Sequence, residues 1–72
     1  MVNVSEPEKP GDPILQFFAY LHLPQRLQVV SEPFGILASR VVDSLPDNPQ
    51  RHVALQKLLE AKDAAVRALL FQ

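Results

Sequence analysis

Seventy-two residues allow one domain, and a domain this short buries only about 60% of the surface its unfolded chain exposes, so a single-chain core is marginal. There is no cysteine, which excludes disulfide staples and thiolate zinc sites and leaves self-association to complete a chain that is 47% apolar. Seven Lys+Arg against eight Asp+Glu give a formal net charge of −1, which excludes a global field that would draw duplex nucleic acid or an anionic membrane surface.

Residues 1–11, MVNVSEPEKPG, combine two prolines, a glycine and alternating charges, and read as a flexible tail that cannot bury enough apolar surface to offset its ordering entropy. The tail lacks the charged-then-apolar order of a signal peptide, and no later stretch approaches the ~20 apolar residues of a membrane span. A cytoplasmic protein is the expectation.

Order should begin at Asp12-Pro13. Asp12 can cap orphan amides, and Pro13 suits the first helical position because its missing N–H costs nothing there. The aromatic-rich segment ILQFFAYLHL then runs only to Pro24, enough for a short helical or turn-like arm folded against something larger.

Between Pro24 and Leu45 the apolar positions Leu27, Val30, Phe34, Leu37, Val41 and Leu45 recur in steps of three and four, the stripe of an amphipathic helix. Pro33 interrupts it. Either the helix kinks there, or Ser31 or Glu32 caps a fresh start; the stripe staying in phase favours a kinked or closely abutted pair.

Leu45-Pro46-Asp47-Asn48-Pro49 is the clearest breaker in the chain, and Asn48 as cap with Pro49 behind it should launch the last helix. Val53, Leu55, Leu58, Leu59, Val66, Leu69 and Leu70, joined by alanines, carry that helix to the end. So short a turn between two long helices implies an antiparallel αα-hairpin. The last helix is apolar over a swath wider than one neighbour can cover, which argues for a homo-oligomer. The fold class is therefore all-α: a short N-terminal helical arm and an αα-hairpin over residues 12–72, completed by further copies.

Catalytic constellations are hard to assemble. His22 and His52 are the only histidines, His52 reading as a solvated first-turn side chain, and with two glycines no phosphate-cradling loop can be built. Metal-ligand spacing and a cofactor motif are absent, so a binding protein is expected rather than an enzyme. Tyr20 and His22 beside Pro24 read either as an aromatic plug for a groove or as a stacking ring next to a basic group, the pair that base stacking and phosphate contact require. Arg51, Lys57, Lys62 and Arg67 face only Glu60 and Asp63 on the last helix. They can hold a small anion, or remain solvated and pair locally as Lys57–Glu60 and Asp63–Arg67.

A resemblance raises the first option. The stretch LPDNPQRHVALQKLLEAKDAAVRALL, Leu45–Leu70, resembles the helical hairpin of phage anti-CBASS cyclic-oligonucleotide sponges, a hairpin shared with a Thoeris-countering sponge. The likeness is carried by Pro46, Asp47 and Arg51 around the turn, by Ala54, Leu55, Lys57, Leu58, Glu60 and Ala61, and by the alanine-rich end. Upstream, FAYLHLPQRLQ resembles the family's aromatic arm and helix start, its histidine falling two residues after Tyr20 rather than directly after it.

The resemblance implies a homo-oligomer, assembled as a hexamer from dimers, that sequesters cyclic di- or trinucleotide messengers between protomers in the host cytoplasm. It implies that Tyr20 stacks on a nucleobase and that Arg26 and Ser31 approach phosphates or base edges. It also implies a second, trinucleotide pocket lined by Leu21 or His22 and by a basic residue at the helix end, where this chain has Phe71 with Arg67 one turn earlier. Arg51, Lys57 and Arg67 complete the candidate ligand-binding set. The alternative expectation is a structural or protein-interaction module without a nucleotide ligand.

Overall fold

A computed structural model describes residues 12–71; the expected flexible tail lies outside the described residues. Among these, the chain is all-helical: a 3-10 arm, Pro13–Phe18, then α1, Gln25–Ser44, and α2, Pro49–Leu70. The two long helices pack as a helical hairpin, and the arm lies against both.

Each start follows from its cap. The Asp12 carboxylate accepts from the Ile14 amide at 3.1 Å, with Pro13 next in line. Asn48 accepts from the Arg51 amide at 2.9 Å, with Pro49 behind it. Orphan N–H groups at both starts are thus met by side-chain oxygens, the physical role of such residues before a helix.

Pro33 lies inside one uninterrupted helix of 20 residues rather than at a fresh start. Its missing N–H would have served the carbonyl of Val29. Val29 and Pro33 are both exposed, so the break falls on the side of the helix that water reaches.

The inward line of α1 differs from the expected stripe. Ser31, Gly35 and Ala38 are the buried residues, whereas Leu37 and Leu45 are exposed. Counting large apolar residues misses a seam of small ones, and it is the small ones that let the arm come close. A Cβ added to Gly35 would stand 3.1 Å from the Phe18 carbonyl oxygen and 3.1 Å from the Tyr20 ring.

Phe18, Ala38 and Leu55, one from each element, form the buried apolar centre, with Ile14, Leu15, Phe34, Val41, Val42, Leu58 and Leu59 packed around it. That is little for a chain of this length. Each helix therefore keeps an outward face. Phe17, Leu21, Val29, Ile36, Leu37, Val53, Leu70 and Phe71 are among the large apolar side chains left exposed. No helix among the described residues is long and apolar enough to cross a membrane.

Candidate functional site

Tyr20 follows the arm directly and begins a tight turn, its carbonyl accepting from the Leu23 amide at 3.0 Å. Gln28, in the first turns of α1, donates to the carbonyls of Leu23 at 2.8 Å and Leu21 at 3.3 Å. The turn that carries Tyr20 and His22 is thereby tied to α1 rather than left loose. Gln28 had no signal in the sequence, because its partners are backbone carbonyls that only the turn brings within reach.

The Tyr20 ring rests over Gly35, half-buried, at the edge of a cleft of ≈ 410 Å³ between arm and α1. Ile36, Ser39, Arg40 and Asp43 form the α1 side of this cleft, and Leu15 and Phe18 the arm side. The side chains of Arg40 and Asp43 make no ion pair or hydrogen bond with another described residue, so a cation and an anion stand free beside an aromatic ring. The sequence pointed to Tyr20 but not to Arg40, Ser39 or Asp43. Their helical positions looked like ordinary solvated ones, and only the docked arm turns them into a wall.

The other expected site residues are dispersed. His22 and Arg26 are exposed, His22 in the turn and Arg26 in the first turn of α1. Ser31 is fully buried, and its hydroxyl finds no hydrogen-bond partner among the described residues. Lys57 is exposed on α2 and sits 3.9 Å from Glu60, the local pairing that its spacing allowed. Asp63 lies 4.0 Å from Lys62 rather than against Arg67, which is exposed.

Arg51 is buried, and its chemistry is turned inward. One guanidinium nitrogen donates to the carbonyls of Val42 at 3.2 Å and Leu45 at 3.3 Å; the other stands 3.4 Å from Asp12 and 3.3 Å from Asp47. Those carbonyls belong to the last turn and cap of α1, where backbone acceptors lack partners within the helix. One side chain thus closes the end of α1, joins it to the start of α2 and holds the cap of the arm.

His52 is exposed, as its first-turn position suggested, and lies 3.2 Å from Asp47 and 3.8 Å from Asp12. Oxygen and nitrogen atoms of Asp12, Asp47 and His52 thus come within 4.8 Å of one another, a grouping invisible in sequence because Asp12, at the start of the arm, is far along the chain from the other two. The Arg51 guanidinium already supplies positive charge to both carboxylates, and the cluster reads as an ion-pair network around the hairpin turn.

At the other end of the arm Lys62 reaches from α2, donating to the Phe17 carbonyl at 2.6 Å with its ammonium 6.0 Å from the centre of the Phe18 ring. The arm is tied at both ends to α2, while its following turn is tied to α1.

The chain matches no protein-family model, no curated protein and no solved structure.

Proposed function

We propose that this protein is a non-enzymatic sponge: copies of the chain assemble and sequester cyclic di- or trinucleotide messengers at the joints between protomers, countering host antiviral signalling. The observation that carries the reading is the half-buried Tyr20 ring beside an open cleft, walled by the arm and α1, that also holds the Arg40 side chain, unpaired among the described residues. The resemblance of the hairpin and arm to phage anti-CBASS sponges supports the same assignment.

A cyclic dinucleotide is a compact dianion with two flat bases. An aromatic face offers stacking worth ~1–3 kcal/mol per base, and a guanidinium offers charge-assisted hydrogen bonds to phosphate. A twofold joint between copies presents the same tyrosine and arginine twice, once for each half of the ligand. Sequestration acts by stoichiometry, so it requires affinity and no turnover.

Calorimetric titration with cyclic di- and trinucleotides and cyclic ADP-ribose derivatives tests this reading; saturable heat is expected from at least one, and none from any of them would remove it. Tyr20→Ala should abolish that heat while the mass by light scattering stays unchanged.

A second reading is a helical interaction module, favoured by the exposed Phe17 and Leu21 on the arm and the turn after it. Absorbance separates the two, since the chain has no tryptophan and one tyrosine: nucleotide carried through purification would show as excess absorbance near 260 nm.

A further inference from the structure

α1 has a second face, turned away from the core. Glu32, Ile36 and Arg40 follow one another four residues apart along it, a ridge about 12 Å long with an isoleucine at its midpoint, an acid at one end and a base at the other. Pro33 and Leu37 form the next row, and the furrow between the rows is a depression of ≈ 390 Å³ built from α1 alone. Val29, Ile36 and Leu37 are 64%, 48% and 47% exposed there. Neither the Glu32 nor the Arg40 side chain has a charged or hydrogen-bonding partner among the described residues.

The sequence acid, apolar, base at equal spacing is its own complement when reversed. Turned through a twofold axis beside Ile36, the ridge sets Glu32 against the partner's Arg40 and Arg40 against the partner's Glu32, while the two isoleucines meet at the centre. We propose that this face is the seat of a second copy of the chain, with the ridge of each copy lying in the furrow of the other. Ridge-in-furrow contact between rows of this four-residue spacing is the commonest way two helices pack, and a self-complementary patch is what a twofold dimer demands.

The contact also bears on the ligand site. Ile36 and Arg40 border both this furrow and the cleft beside Tyr20, so a copy seated on one stands at the rim of the other and adds the wall that a single chain lacks. The guanidinium has five N–H donors, enough to meet the partner's Glu32 and an incoming phosphate together. This inference rests on the self-association in the proposed function, and not on the identity of the ligand.

The chain has no cysteine, so Ile36→Cys introduces a single thiol, and on a twofold axis that thiol meets its own copy. Mild oxidation should convert Ile36→Cys largely to covalent dimer on a non-reducing gel, while Gln50→Cys, exposed at the start of α2, stays single. Glu32→Arg and Arg40→Glu should each weaken dimerisation by roughly tenfold, because each sets like charges opposite one another twice, and the double swap should restore it.

Cross-linking no better than the Gln50→Cys control, or a double swap no better than its singles, overturns the proposal. If nucleotide heat and a multimeric mass are seen beside that failure, the joint lies elsewhere and the sponge reading stands. If cross-linking and rescue succeed while no nucleotide binds, the contact stands and the sponge reading falls.

Discussion

Gly35 is a poor helix former in mid-helix, about 1 kcal/mol worse than alanine, and its position is explained by what lies above it. With the Phe18 carbonyl oxygen and the Tyr20 ring both 3.1 Å from where a Cβ would be, the glycine is a seat for the arm. Gly35→Ala should therefore lower stability by about 1 kcal/mol in urea unfolding, overpacking outweighing the gain in helix propensity, and should alter the emission of the single tyrosine. A more stable variant with unaltered emission would mean that the arm yields freely. Ser31, one turn earlier, is the converse case, a fully buried hydroxyl without a partner among the described residues. Ser31→Ala removes an unsatisfied polar group and should raise stability by about 1 kcal/mol in the same assay. A loss would reveal a hydrogen bond that the hydroxyl gains only in the assembly.

At the scale of elements, the caps, the turn and the run of the last helix were legible because each depends on neighbours in sequence: Asp12 before Pro13, Asn48 before Pro49, two prolines flanking Asp47 and Asn48. How the elements are fastened was not legible. Arg51 stood out beside the turn, and its contact with Asp47 has a local i,i+4 spacing, but Asp12 is 39 residues away and the remaining acceptors are backbone carbonyls, neither of which a local pattern encodes. Arg51→Met should cost ~3–5 kcal/mol, because it strands a buried carboxylate and removes the donors that close α1. A core this small rarely supplies more than ~3–5 kcal/mol, so far-UV circular dichroism should show the variant largely unfolded at room temperature. A variant that keeps its helicity and melting temperature would show that water replaces the guanidinium without loss.

For the whole molecule, the exposed apolar surface lies partly where the sequence did not place it. The excess of apolar surface was expected on the last helix, yet α1 carries one as well, because its inward line is made of Ser31, Gly35 and Ala38 while Val29, Ile36 and Leu37 face out. Residue size misled the periodicity: a stripe drawn through the largest side chains ran across Leu37, which faces out, and past Gly35, which faces in. The proposed self-association would tie stability to protein concentration. The melting temperature should rise as concentration is raised, and a value independent of concentration would mean that these outward faces stay wet.

The double fastening of the arm has a further consequence, for the order in which the molecule comes together and apart. Its two anchor points, Arg51 and Lys62, lie three turns apart on α2, and its resting place lies on α1, so the berth exists only after the long helices have met. The expected order of assembly is hairpin first and arm last. The expected first opening is release of the arm with the long helices still joined, which amide hydrogen exchange would show as weaker protection in the arm than in α1 and α2. The ring of Tyr20, two residues past the end of that strip, would lose its seat on Gly35 in the same opening.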